Sequence, residues 1–289
     1  MDGATVKAVL RGKMGLSSSI VKRLKQAENG ILLNGSPVHV DKRVQIGDRL
    51  ELTLFDTPSS GIEPVPIPLD ILYEDEDMLA VNKPPAMPTH PSQNHHTDTL
   101  ANGIMYYYRD CPFTVRVITR LDKDTSGVVL IAKHALSAQR LSDAMREKKI
   151  FKEYLAAVNG IPNPQKGTIS LPLGRMPGSV ILRCVTPEGK TAITEYETLW
   201  TEKELSLVRL HPLTGRTHQL RVHMSHTGTP IYGDDLYGAP QREERVRLHC
   251  SSLSLPHPAT GEPLKITAPL PEDIRELFSK QHQERIEED

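Results

Sequence analysis

Apolar positions change period several times along this chain. In LSSSIVKRLKQAENG, Ile20, Leu24 and Ala27 recur at i, i+4 and i+7, which places them on one face of a helix. A serine from Ser17–Ser19 can cap its start, and Asn29-Gly30 can end it. ILLNGSPVHV then reads as two short strands about an Asn-Gly turn, and VQIGDRLELTL as a further turn and strand. Pro58, Pro64, Pro66 and Pro68 deny the next stretch a regular ladder. Beyond it, ILYEDEDMLAVNK predicts two strands around an acidic turn, stopped by Pro84-Pro85. VVLIAK predicts a buried strand, and HALSAQRLSDAMREKKI a helix with Leu141, Ala144 and Met145 on one face. FKEYLAAV, TAITEYETLW and LSLVRLHPL predict further strands. RTHQLRVHM predicts a helix capped by Thr217 and ended at Gly228, with Leu220 and Met224 buried and Arg221 beside them. Strands outnumber helices without strictly alternating with them. The expected fold is therefore α+β, with a mixed, largely antiparallel sheet. The expected organisation is a small module over 1–56, a linker over 57–68 and a larger body over 69–289 ending in a polar tail, QHQERIEED.

Composition narrows the class. With 38% hydrophobic and 25% charged residues, the chain reads as a soluble globular protein. No apolar run approaches the ~18 residues of a membrane helix, and the N-terminus lacks a signal-peptide core. Cys111, Cys184 and Cys250 are odd in number and widely spaced, so reduced thiols and a cytoplasmic location are expected. The net charge of -1 hides segregation. Residues 1–56 carry nine Lys/Arg against six Asp/Glu, and residues 100–240 carry eighteen against thirteen. Lys22, Arg23 and Lys25 lie off the apolar face of the first helix and can point outward. This map allows an anionic partner without demanding one.

The segment VITRLDKDTSG, Val117 to Gly127, admits three readings. Asp and Gly in a tight turn can be turn chemistry alone. Asp122, Asp124, Ser126 and Gly127 also fit the first half of a calcium loop. However, the twelfth position, where a bidentate Glu closes that cage, is Lys133. The third reading is a catalytic carboxylate at the end of a buried strand. Arg120 stands two residues before Asp122, so on an alternating strand both would share a face. His218, His223 and His226 raise zinc. His218 and His223 are five residues apart on a helix and point in different directions, and two remaining ligands make a poor site, so no metal is expected.

The third reading gains from the rest of the chain. RLDKDTSG, with LYEDEDMLAVNKPPAMPTHP before it and FKEYLAAV and LTGRTHQLRVHMSHTGTPIYGDDLYG after it, resembles the RluA/RluD-type family of RNA pseudouridine synthases. The tail block LHCSSLSLPHPATGEPLKITAPLP is similar too, and the blocks occur in order over about residues 69–271. SSSIVKRLKQAENGILLNGSPVHVDKRVQIGDRLEL resembles the alpha-L RNA-binding fold named for a ribosomal small-subunit protein. The resemblance implies an isomerase that needs no cofactor, acting on ribosomal or transfer RNA, with a monomer as the expected state. It implies that Asp122 is the essential aspartate, either as a nucleophile or as a base toward a ribose proton. It implies that Tyr154 contacts the target base, that Arg221 pairs with the aspartate and that Arg120 meets RNA. Lys22, Arg23 and Lys25 become RNA contacts of the small module. One position departs from the family pattern: Thr119 stands where His commonly precedes Arg-Leu-Asp. The rival reading is a non-catalytic RNA-binding or ribosome-assembly factor on the same scaffold.

Overall fold

The computed structural model describes residues 2–54, 61–238 and 245–279. The first segment opens with α1 (Val6–Ala8), which runs into a π-helical turn over Val9–Lys13, and continues with α2 (Ser18–Gln26). Ser17 caps α2 by accepting from the Ile20 N–H, and the helix stops one residue before Ala27, which is already extended. β1 (Ile31–Leu33), β2 (Ser36–Pro37) and β3 (Leu50–Leu52) form an antiparallel sheet in the order β2-β1-β3. The turn between β1 and β2 has positive φ at both Asn34 (49°) and Gly35 (77°), which matches the strand twist and explains the Asn-Gly pair. Val6, Leu10, Leu16, Ile20, Val21, Leu24, Ile31, Leu33 and Val44 form a core of their own.

The larger body contains β4 (Ile71–Glu74), β5 (Met78–Lys83), α3 (Leu100–Tyr107), β6 (Arg116–Val117), β7 (Ser126–Ala132) and α4 (Ala135–Arg146). β8 (Phe151–Asn159), β9 (Lys166–Ser170), β10 (Leu173–Arg175), β11 (Arg183–Val185), β12 (Ile193–Glu202) and β13 (Leu205–Pro212) follow. The chain then forms α5 (Gln219–His226), β14 (Leu248–Pro256), β15 (Pro263–Thr267) and α6 (Glu272–Arg275). Among the described residues, ten strands make one sheet in the order β4-β5-β7-β14-β8-β13-β12-β9, with β6 beside β7 and β15 beside β14. Every pairing is antiparallel except β7 with β14, which is parallel over His249↔Ser126 and Cys250↔Gly127. The α+β, largely antiparallel expectation therefore holds.

β7 is buried along its whole length, which is why its sequence is a continuous apolar run and not an alternation. Val128, Val129, Leu130 and Ile131 are fully buried, and each such side chain contributes about 1.5–3 kcal/mol. Gly127, the second residue of this strand, has φ 112°, and a Cβ there would lie 2.2 Å from the Cys250 carbonyl oxygen. The glycine of the turn motif is thus required by the parallel approach of β14.

Residues 57–60 of the expected linker and the tail from 281 lie outside the described residues. The remainder of that linker packs on α3: Asn102 Nδ2 donates to the Glu63 carbonyl at 2.8 Å, and the Val65 N–H to the Asn102 carbonyl at 3.2 Å. None of the described helices is long and apolar enough to cross a membrane.

Candidate active site

Arg120 and Asp122 do not lie on an alternating strand. β6 ends at Val117, and residues 118–125 form a loop that leads into β7. The loop is held at successive points. Thr119 is buried, and its hydroxyl accepts from the Leu130 N–H at 2.9 Å. The Leu121 carbonyl accepts from Thr89 Oγ1 at 2.9 Å, and the Lys123 carbonyl accepts from Lys83 Nζ at 3.0 Å. The Thr125 N–H closes a turn on the Asp122 carbonyl. Ser126 is fixed by His249 Nδ1 at 2.9 Å, and Arg245 donates to its hydroxyl at 3.3 Å. Arg245 is in turn held at two points by Asp273. Burial pushes the His249 pKa down to about 4, so its ring is neutral. Nε2 then donates to the Ala268 carbonyl and Nδ1 accepts from Ser126. The departure at Thr119 therefore acts inside the sheet, as a clasp between the loop and β7.

In the middle of this fixed loop, the Asp122 carboxylate is half-buried and makes no side-chain hydrogen bond or ion pair among the described residues. Its neighbours come from three elements. Tyr154 lies on β8, paired with Cys250 and Leu210. Burial holds its phenol well above the usual range, and the nearby Cys250 and Asp122 add to this. The Cys250 thiol is itself pushed up to about 12 by burial. Both groups are therefore neutral near neutral pH.

Arg221 is carried by α5 and is almost fully buried. The expected cap, Thr217, is replaced by His218, which sits in the left-handed region (φ 56°) with no side-chain capping bond. Arg221 Nε and Nη2 donate to the two oxygens of Asp234 at 2.8 and 2.6 Å, and Nη2 reaches Asp235 at 3.4 Å. Asp234 also accepts from the Leu236 and Tyr237 N–H groups. Burial opposes the charge of Arg221. The Asp234 bonds and charge, then the charge of Asp122, outweigh this and keep its pKa raised. Among the described residues, the expected Arg221–Asp122 ion pair is not formed: Arg221 is held at two points by Asp234, and Asp122 acts on it only through its charge. Tyr237 lies under the guanidinium, 5.3 Å from ring centre to carbon, and its hydroxyl is 2.7 Å from His218 Nδ1.

Three residues of this site escaped the sequence reading. Lys83 is fully buried and donates to the carbonyls of Pro84, Met87 and Lys123. Asp234 and Tyr237 belong to the block GDDLYG, whose only visible sign was its place beside the Arg221 helix. Lys22 and Lys25 are exposed on α2, and Arg23 is half-buried. Among the described residues, Asp75, Asp77 and His257 bring three ligand atoms within reach of one another. However, His257 Nε2 is bonded to Asp75, and its Nδ1 accepts from the Ala259 and Thr260 N–H groups, so no ring nitrogen is left for an ion. His223 is likewise taken up by Thr194 and the Leu171 carbonyl.

Among the described residues, the half-buried Asp122 carboxylate makes no side-chain bond and lies within electrostatic reach of Tyr154 and Arg221. Comparison with known proteins gives that arrangement a family. Residues 77–226 match the family model described as RNA pseudouridylate synthase. The RNA pseudouridine synthase YjbO of Bacillus subtilis is 39% identical over 92% of this chain and 96% of its own length. The ribosomal large subunit pseudouridine synthase D of Haemophilus ducreyi is 34% identical, over 96% and 89%. The solved structure of human RNA pseudouridylate synthase domain containing 1 superposes with a TM-score of 0.60 at 27% identity, over 79% of this chain and 96% of that one. With the fold, the order of the sequence blocks and these relatives in agreement, the chain belongs to the RNA pseudouridine synthases, isomerases that convert uridine in RNA to pseudouridine.

Proposed function

We propose that this chain isomerises uridines of large-subunit ribosomal RNA, with Asp122 as the essential catalytic aspartate. The observation that carries the reading is the Asp122 carboxylate: the loop that bears it is pinned at Thr119, Leu121 and Lys123, while the carboxylate itself has no hydrogen bond or ion pair among the described residues and is left for a substrate. The relative from Haemophilus ducreyi, named for the ribosomal large subunit, supports the choice of RNA. In the isomerisation the N1–C1′ bond breaks, the uracil turns and a C5–C1′ bond forms. The proton on C5 leaves and N1 gains one, so no external oxidant or energy source is needed. Asp122 can attack C1′ or the base as a nucleophile, or take a ribose proton once the base has departed, and the same carboxylate serves either route.

In this reading Arg221 holds the charge balance beside Asp122. A bound nucleotide strips water from the carboxylate, and the guanidinium opposes the resulting rise in its pKa. Tyr154 presents its ring to the base. Its raised pKa supports a neutral hydroxyl in that role and argues against a phenolate. Arg120 is exposed at the mouth of the loop and meets the RNA backbone. Residues 1–56 act as an alpha-L RNA-binding module, with Lys22, Arg23 and Lys25 as contacts. The enzyme works in the cytoplasm as a monomer without cofactor or metal.

The test is tritium release from RNA labelled at C5 of uridine, with ribosomal and transfer RNA offered separately to wild type and Asp122→Ala. Release from ribosomal RNA by wild type only is the expected result. Release from transfer RNA alone would move the substrate assignment. Release by Asp122→Ala at a substantial fraction of wild type would overturn the role of the aspartate. Tight binding without release from any RNA would favour a non-catalytic binding factor.

A further inference from the structure

Two cations near Asp122 and Tyr154 form no ion pair among the described residues. Lys152 precedes Tyr154 by two residues on β8, so both side chains leave the same face of the strand. Lys152 therefore stands one strand repeat, roughly 6–7 Å, from Tyr154, and Arg120 stands two residues before Asp122 on the pinned loop. Lys152 and Arg120 are close enough to repel, and this adds to burial in lowering the lysine pKa. Neither side chain has a hydrogen bond or ion pair among the described residues. Glu153, the neighbouring carboxylate on β8, points to the opposite face, near Arg209 and His211. The Cys250 thiol beside Lys152 is neutral, as derived above. His90 completes the group. Its neighbour Thr89 is bonded to Leu121, which sets the imidazole beside Arg120, and burial and that charge keep the ring neutral at pH 7.

A half-buried ammonium usually has a partner in the fold. Here no described residue supplies one, and a polynucleotide entering the Asp122 site brings a phosphate with every residue. We propose that Lys152 and Arg120, with His90 beside them, form a subsite for the phosphodiester that flanks the flipped uridine. The inference rests on the RNA reading above and adds the place where the backbone is gripped. Arg120 supplies a fork of donors to the phosphate oxygens, Lys152 a point charge from the floor of the site, and His90 a neutral N–H.

The experiment is equilibrium binding of a large-subunit ribosomal RNA transcript to the full chain across a salt series, for wild type, Lys152→Gln, Lys152→Arg and Lys166→Gln. Each neutralised phosphate adds about 0.7–0.9 to the slope of log affinity against log salt. Lys152→Gln is expected to bind several-fold more weakly and to lose about one such increment. Lys152→Arg is expected to restore the slope. Lys166→Gln, which removes an exposed lysine paired with Glu197 on the sheet edge, is the control for net charge and should leave the slope alone. An unchanged slope in Lys152→Gln, or a loss that Lys152→Arg does not repair, overturns the subsite. Tritium release by wild type is read in parallel. With release present and the slope unchanged, the subsite fails and the isomerase reading stands. With release absent and the Lys152-dependent slope present, the subsite stands on a binding protein. Absence of both overturns both.

Discussion

Lys83 puts a positive charge where no water reaches. Its three donors meet three carbonyl oxygens, at 2.8, 2.8 and 3.0 Å from Pro84, Met87 and Lys123, which fits the three hydrogens of an ammonium. Burial pulls its pKa down to about 7, against the opposing pull of Asp124 and Asp122. Unfolded, the same group keeps its ordinary value of 10.5. Between about pH 7 and 10.5 the unfolded chain therefore holds a proton that the folded chain lacks, and this group makes stability rise with pH across that window. Below pH 7 its unfavourable contribution is complete. Lys83→Met should abolish that rise while leaving three buried carbonyls without donors, each worth about 1–3 kcal/mol. Thermal unfolding of wild type and Lys83→Met from about pH 6 to about pH 10 tests this, and parallel pH profiles would refute it. Tritium release should fall as well, because the tie to the Lys123 carbonyl sets the Asp122 loop. None of this was legible in the sequence, where a lysine closing a strand before Pro-Pro looks like a solvated end. The Asp122 turn was visible, because a stretch rich in Asp and Gly interrupts two apolar runs, and its catalytic role is the reading proposed above from the fit of the other blocks.

At the scale of elements, apolar periodicity placed β5, β7, β8, β12, β13, α2, α4 and α5, because in each the buried face or run is continuous. It misplaced Arg120 and Asp122, since alternation over a few residues cannot tell a strand from a pinned loop. It gave Arg221 but not its anchor, because Asp234 lies thirteen residues on, past the end of the helix. That anchor sets the next expectation. Removing one partner of a buried ion pair costs about 3–5 kcal/mol, so Asp234→Asn should lower the melting temperature. It should also free the Arg221 guanidinium to turn onto Asp122, whose charge it already feels. The expected signature is a fall in kcat for tritium release with little change in KM for RNA. An equal rise in KM would mean that Asp234 serves binding and not the placement of Arg221. Gly127→Ala has a different signature. With φ at 112° and the Cys250 carbonyl oxygen 2.2 Å from the new Cβ, the β7–β14 approach must open, and the protein should lose stability and activity together.

The whole molecule joins two cores through one helix. Ala135 and Leu136 of α4 pack against the N-terminal core. Gln139 accepts from the Ser17 N–H at 2.7 Å and donates to the Gly15 carbonyl at 2.7 Å. The same glutamine therefore grips the residue that caps the basic helix α2. In the proposed RNA-binding role, a module held this way presents Lys22 and Lys25 at a fixed distance from the Asp122 loop, whereas a tethered module would only raise a local concentration. Two variants separate the module's charge from its placement. Deleting residues 1–56 removes the proposed phosphate contacts, so RNA affinity and the salt slope should both fall, with turnover at saturating RNA less affected. Gln139→Ala keeps every basic group and removes the grip, so affinity should fall while the slope stays near that of wild type. The same salt series on the same ribosomal RNA transcript reads both. If Gln139→Ala leaves affinity untouched, the docked arrangement adds nothing to recognition and the module works as a tether. If the deletion leaves the slope untouched, the basic helix does not meet RNA, and the backbone is gripped entirely by the body, at Arg120 and Lys152.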